Sequence, residues 1–328
     1  MTAAERHNLR NALLFISPWI VGFTLFVLYP IGASLYWSFC DYSVLTEAVW
    51  IGTGNYSDLA KDEVFWKAVW NTLFYTIFAI PLGTLIAFFL AVLLNTGVRG
   101  MGLYRTIMFL PSLVPLVALG ILWRWIFNMQ YGVFNYLLRF LGLFDFLFAP
   151  INALLDALGN PLGLTQLHIG PVGWLQDPAW SKPALVIATL WTCGQAMVIY
   201  LAGLQEVPSH LYESAALDGA SWYRRLWHVT LPMISPVVYF NVIMGTIWSL
   251  QVFALPYVMT VVGAGGVTQL PGGPARSTLM YTMYLYDNAF RYLEMGYACS
   301  MAWILFLVTL LLTLIGTAIS RRHVYYAS

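Results

Sequence analysis

The chain has 328 residues, of which 60% are hydrophobic and only 9% charged, and its formal charge is +1. A soluble domain carries about 25% charged residues, so lipid must solvate most of this polypeptide. The near-neutral balance excludes the basic footprint of nucleic-acid binding. The 26 glycines and 16 prolines are compatible with helices, because membrane helices tolerate both better than soluble ones. Cys40, Cys193 and Cys299 lie far apart, each in or beside an apolar run, and read as packing residues rather than metal ligands or a disulfide framework.

A spanning helix needs about 20 apolar residues to cross a hydrocarbon core of roughly 30 Å. Six stretches meet that need: Ala12–Phe39, Ala68–Leu94, Thr106–Phe127, Pro183–Leu204, Ile234–Val262 and Met295–Ser320. They predict an all-α membrane protein with about six transmembrane helices. The first follows Arg6 and Arg10, but its apolar run far exceeds the ~7–15 residues of a signal-peptide core and no clear cleavage site follows. It is expected to remain as a helix, bent at Pro18 or Pro30.

Basic residues set the orientation, because short cytoplasmic loops are enriched in Lys and Arg. With both termini inside, the inner side holds Arg6, Arg10, Arg99, Arg105, Arg224, Arg225, Arg321 and Arg322, and the 95–106 loop is free of acids. Lys61, Lys67, Arg139, Lys182, Arg276 and Arg291 fall outside, spread over longer segments with most of the acids. Residues 1–11 and 321–328 are then cytoplasmic tails around a membrane domain over 12–320. Arg124 is the one charge inside a span, 18 positions after Thr106. A straight helix would put it about 27 Å on, at the outer interface, where snorkelling competes with a place in the transport pathway. In the outer segment 128–182, Phe134–Leu158 is apolar but broken by Arg139, Asp145, Pro150 and Asp156, which suits an amphipathic helix or two on the membrane surface.

The most informative polar segment is the loop 206–233, between the fourth and fifth spans. Ser209 is an N-cap candidate and Glu213 an early acid for a helix over 209–217. Gly219 should end or bend that helix, with Asp218 able to make a turn bond beside it. A second short helix should run from about Ser221 to Pro232. Ala215, Ala216, Gly219 and Ala220 are small enough for another protein to approach closely. Such a loop could be a plain connector, but its spacing is specific: Glu213-Ser214-Ala215, then Asp218-Gly219-Ala220, ten residues, then Leu231-Pro232 and Pro236.

That spacing resembles the EAA loop of importer-type ABC permeases, with Ser214 for the usual Ala and Leu226 where Phe is common. The resemblance covers nearly the whole chain and points to the MalF/UgpA-like carbohydrate branch. Pro18-Trp19-Ile20-Val21-Gly22-Phe23, Tyr29-Pro30, Ser38-Phe39, Gly54-Asn55-Tyr56, Trp70-Asn71-Thr72-Leu73 and Tyr104-Arg105-Thr106 fall in family order. So do Phe109-Leu110-Pro111, Trp123-Arg124, Trp174-Leu175-Gln176-Asp177-Pro178, Gly272-Gly273-Pro274 and Gly296-Tyr297-Ala298. Extra residues around 146–171 and a Gly-rich stretch at 263–270 depart from the pattern, and bear on how a binding protein docks.

The resemblance implies a type I ABC importer (MetI-like) permease fold in a bacterial inner membrane. Leu211, Tyr212, Glu213, Ala215, Ala216, Asp218, Gly219 and Ala220 would then form a coupling helix docked in a cleft of a separate ATPase, with Glu213 meeting a basic group there. The implied partners are a second, MalG-like permease, two MalK/UgpC-like ATP-binding subunits and an extracytoplasmic solute-binding protein. This chain has no Gly-x-x-x-x-Gly-Lys-Ser/Thr run, so ATP and Mg are expected on the partner and no cofactor or metal on this chain.

The fourth and fifth spans contain no acid or base, yet carry Trp191, Thr192, Gln195, Asn241, Trp248, Ser249 and Gln251. Aromatic, amide and hydroxyl groups suit a neutral polyol, and the resemblance places sugar contacts near Trp191–Ala196 and Gly245–Val252. Packing or interfacial anchoring is the alternative for each tryptophan. A secondary carrier would call for an intramembrane carboxylate, which the six spans lack. A membrane enzyme is disfavoured by His7, His168, His210, His228 and His323 being scattered without a neighbouring acid in catalytic spacing. Glycerol phosphate, or another polar solute, is the alternative cargo.

Overall fold

The computed structural model describes residues 3–142, 153, 172–260 and 272–325. The insert expected at 146–171 falls outside the described residues except for residue 153, a single helical position, and so does most of the second half of Phe134–Leu158. The Gly-rich stretch 263–270 is also outside them. Among the described residues, three helices are long and apolar enough to cross a bilayer alone: His7–Trp37, Glu63–Leu94 and Met295–Arg322. Three bent pairs pass the same length and composition test together, which gives up to six crossings if each pair counts as one: Met101–Leu113 with Leu116–Ile126 (97°), Pro178–Leu190 with Gly194–Glu206 (47°), and Trp222–Met233 with Ser235–Leu250 (68°).

Counting each pair once, the number agrees with the six apolar stretches, but several of the stretches are not single continuous helices, for local reasons. In the third span Pro115 disfavours helical backbone at the residue before it, and Val114 is extended (φ −69, ψ 127). The resulting turn invalidates the 27 Å placement of Arg124 at the outer interface, since that distance assumed an unbroken rod. The fourth span begins at Pro178 rather than Pro183, because Asp177 caps it by accepting the Ala179 N–H at 2.9 Å. The fifth, expected to reach Val262, stops at Leu250 and is followed by a separate helix, Ala254–Thr260, packed along Leu116–Ile126. In the first span Pro18 sits inside a regular helix, and the irregularity is a π-helical turn at Thr24–Leu28, ahead of Pro30. Pro30 has no N–H to offer the carbonyl of Phe26, which removes one regular bond beside that turn.

The chain divides into two compact units. In the first, Met1–Phe65 with Tyr284–Val308, the first span leads into a short hairpin that pairs Cys40 with Trp50 and Asp41 with Val49. This small sheet is the departure from an all-helical expectation. Buried Asn55 stitches the span to the hairpin, donating to the carbonyls of Ser38 (3.0 Å) and Cys40 (2.9 Å). Asp62 gathers the rest: its carboxylate accepts from the hydroxyls of Tyr284 (2.5 Å) and Tyr297 (2.9 Å) and from the Val64 N–H (2.8 Å).

Burial alone would raise the Asp62 pKa, but the bonds from the two tyrosines and the backbone outweigh it and hold the carboxyl below its ordinary 3.8. Burial and the facing carboxylate push Tyr284 up to about 12. A group whose folded pKa is depressed stabilises fully above its unfolded value and loses that contribution as pH falls through the folded value. Asp62→Asn is therefore expected to cost about 1–2 kcal/mol at neutral pH, limited because solvent still reaches the carboxylate. Thermal unfolding of both proteins in detergent checks it: the gap should close below pH 3.8, and equal midpoints at pH 7 would remove Asp62 as a tie.

The second unit, Trp66–Met283 with Thr309–Ser328, holds an apolar core. Ala87, Phe88, Ala91 and Leu94 of the second span meet Met197, Tyr200, Leu201 and Leu204 of the fourth, joined by Leu226 and Ile234. Cys193 packs against this cluster, and Cys40 and Cys299 are buried in the first unit. At the start of the second span, fully buried Asn71 donates to the carbonyls of Arg276 (2.9 Å) and Leu279 (3.0 Å). Thr72 accepts the Tyr281 N–H at 2.9 Å. The Trp70-Asn71-Thr72-Leu73 run thus fixes the loop that carries Gly272-Gly273-Pro274.

Candidate functional site: an exposed helical loop and polar helix breaks

In the loop 206–233, a helix spans Ser209–Leu217. Its N-cap is Pro208, not Ser209: the extended backbone at Pro208 (φ −62, ψ 132) makes Ser209 the first helical residue, and no side chain caps the end. The C-terminus is a Schellman turn. Asp218 is the C-cap, Gly219 takes φ +72, its N–H donates to Ala216 (3.0 Å), and the Ala220 N–H reaches back to Ala215 (2.9 Å). No atom lies within 4 Å of where a Gly219 Cβ would stand, so backbone conformation alone demands glycine.

The helix stands clear of the core. Glu213, Ala216, Asp218 and Gly219 are exposed, Leu217 is 90% exposed, and Leu211, Tyr212, Ala215 and Ala220 are half-buried. The return segment is anchored: Trp222–Arg225, a π-helical turn Leu226–Thr230 and Leu231–Met233 follow in one run, with Leu226 and Ile234 buried in the core. Tyr212 joins the two halves through its hydroxyl, 3.0 Å from the buried Thr230 hydroxyl.

The expected substrate residues sit at interruptions rather than along rods. Trp191 and Thr192 form the break of the fourth span, and Gln195 lies exposed in the first turn beyond it. Trp191 packs edge-on against Trp123, with ring centroids 5.8 Å apart and planes at 87°. Its indole is 41% exposed, so one face is supported and another open. The Thr192 hydroxyl is turned back onto the Thr189 carbonyl at 2.8 Å.

In the fifth span Trp248 is 71% exposed, whereas Ser249 is buried and donates to Thr246 at 3.0 Å. Asn241 donates to Val237 within its own helix at 3.0 Å. Ser249 and Thr192 thus spend their protons on their own backbone, and Trp191, Gln195, Trp248 and the helix-ending Gln251 are the groups left open. Sequence reasoning had Trp123 only in the family pattern and not among the substrate residues; its indole N–H is buried without a partner among the described residues. Its pairing with Trp191 brings distant turns together and leaves no local signal. Among the described residues no group of three His, Cys, Asp or Glu could hold a metal.

A family model described as "Binding-protein-dependent transport system inner membrane component" matches residues 79–324. The chain is 35% identical to the probable ABC transporter permease protein YesP of Bacillus subtilis (strain 168), over 96% of this chain and 91% of that one. It is 34% identical to the lactose transport system permease protein LacF of Rhizobium radiobacter, over 98% of this chain and all of that one. Its fold matches a chain of a bacterial ABC transporter involved in the import of the acidic polysaccharide alginate. The TM-score is 0.76 at 22% identity, covering 98% and 99% of the two chains. Six apolar spans, the exposed helical loop and a match over most of the length agree: the chain belongs to the family of inner-membrane components of binding-protein-dependent ABC transport systems.

Proposed function

We propose that this chain is one of two permease subunits of an ATP-driven importer of a sugar or oligosaccharide, working by alternating access. Residues 211–220 serve as the coupling helix, docked in a cleft of a separate ATPase that holds ATP and Mg. The observation that carries this reading is the loop geometry: an uncovered helix with a Schellman hinge at Gly219, followed by a return segment rooted in the core through Leu226 and Ile234. A displacement of the outer helix then has a stiff route to the second and fourth spans. The tails 1–11 and 321–328 and the loop 206–233 lie in the cytoplasm, and segment 128–182 faces the solute-binding protein. The remaining partners are a MalG-like second permease and a pair of MalK/UgpC-like ATPases.

A carbohydrate cargo is supported by the open aromatic and amide groups at uncharged breaks, and by a relative named for lactose. The test is ATPase activity of the assembled complex with its binding protein across a sugar panel that includes glycerol phosphate. Stimulation by a sugar is expected, and stimulation by the phosphate ester alone would reassign the cargo. Removing the supported indole by Trp191→Ala is expected to lower sugar-stimulated turnover by roughly fivefold, the worth of about one aromatic contact. Unchanged turnover in that variant would return Trp191 to packing.

A further inference from the structure

Between Gly219 and Tyr286 the chain contains no Asp or Glu, yet residues 222–228 gather Arg224, Arg225 and His228 with Trp222, Tyr223 and Trp227. The proposed coupling helix ends before them and the polar breaks lie elsewhere, so neither role uses these side chains. Trp222–Met233 is inclined at 68° to Ser235–Leu250. If Ser235–Leu250 crosses the bilayer, Trp222–Met233 runs nearer the membrane plane than its normal. Only Ile234 separates the two, so the inclined helix adjoins the end of that span.

Its sides are sorted. Leu226 and Thr230 are buried. Tyr223 and Trp227, one turn apart with ring centroids at 6.0 Å, are 61% and 50% exposed and form an aromatic edge, and Trp222, one residue earlier, is exposed as well. Beside it runs a cationic edge, where exposed Arg224 carries the His228 imidazole 3.0 Å from its carbonyl. Arg225 is half-buried, and its Nε is buried without a hydrogen-bond partner among the described residues. A buried, charged donor left unmade is costly, and an anionic oxygen is the group that would satisfy it.

We infer that residues 222–228 form an interfacial clamp for an anionic phospholipid, the guanidinium groups of Arg224 and Arg225 holding the headgroup phosphate and the three aromatic rings lying in the adjoining interfacial layer. Aromatic and cationic edges side by side on a helix steeply inclined to a membrane span are the layout of a membrane-surface element. A complementary protein surface would have to bury three large rings and a pair of cations together, whereas headgroup and acyl boundary offer both environments at one depth.

The test uses the assembled importer in nanodiscs of phosphatidylcholine with a minor fraction of phosphatidylglycerol, with retained lipid counted by native mass spectrometry. Phosphatidylglycerol should be enriched on the unmodified complex. Arg224→Gln and Arg225→Gln should each lower that enrichment about fivefold, the usual worth of one basic side chain at an anionic surface. Equal retention by the double variant would overturn the clamp. So would loss of the ATPase subunits from that variant with lipid retention unchanged, which would assign the guanidinium groups to the protein interface. If the double variant fails to assemble, a nitroxide on His228→Cys in the otherwise intact complex decides. Greater accessibility to oxygen than to a water-soluble nickel chelate is expected, and the reverse order would overturn the proposal.

Discussion

Gly219→Pro is expected to abolish transport while leaving the chain inserted in the membrane. Gly219 sits at φ +72, and proline is locked near −65°, so the substituted chain cannot make the same turn. The substitution also removes the N–H that donates to Ala216 at 3.0 Å and disfavours the near-helical backbone of Asp218 before it. Because a side chain at this position meets no atom within 4 Å, the defect lies in the direction of the backbone rather than in packing.

Gly219→Ala should be milder, at about 1–2 kcal/mol for forcing an L-residue into the left-handed region. Gly219→Asn should be milder still. A graded series, Asn above Ala above Pro, in sugar uptake by proteoliposomes of the full complex is therefore expected. Wild-type uptake by the proline variant would remove this turn from the proposed coupling.

The second large effect is expected at Gly194. A Cβ there would overlap the Met108 carbonyl oxygen and stand 3.0 Å from the Phe109 Cα. Both obstacles are backbone atoms of the helix Met101–Phe109, so no rotamer change relieves them and two spans must move apart. Overpacking of this kind costs about 1–3 kcal/mol, and the upper end is expected here. Trp191, Thr192 and Gln195 flank the same break, so Gly194→Ala should lower the thermal midpoint in detergent and disturb sugar-stimulated turnover together. An unaltered midpoint would mean that the two helices can separate freely.

Much of this was legible in residue order. Stretches without charge located the six spans because an unpaired ion inside hydrocarbon is too costly to scatter at random. The helix over 209–217 and its end at Gly219 were legible because capping is local chemistry, written within four or five residues. The error at Ser209 is the same chemistry misread by one position: Pro208 holds the extended backbone that the serine was expected to supply. The Asp177 cap was available by similar reasoning, since Asp-Pro ahead of an apolar run is a helix start.

The breaks were not legible. Pro111, Pro115, Pro232 and Pro236 accompany two of them, but Pro18 and Pro81 lie inside helices that continue, so proline alone does not decide. At Trp191–Cys193 there is no proline. What fills that region is the backbone of Met101–Phe109 against Gly194, a contact between segments some 85 residues apart in sequence (Gly194 minus Phe109). Likewise, which of the polar span residues stays open depended on whether its proton found a carbonyl on its own helix, as at Thr192 and Ser249.

Residue order by itself determined the solvent, the number of apolar stretches, the family pattern and the turn at Gly219, since each follows from transfer free energy or from turn chemistry within one segment. Only the tertiary structure decided where the crossings bend, which indole backs Trp191, and that the loop's return arm is rooted in the core by Leu226 and Ile234. Those outcomes depend on which distant atoms compete for the same space and the same hydrogen bonds.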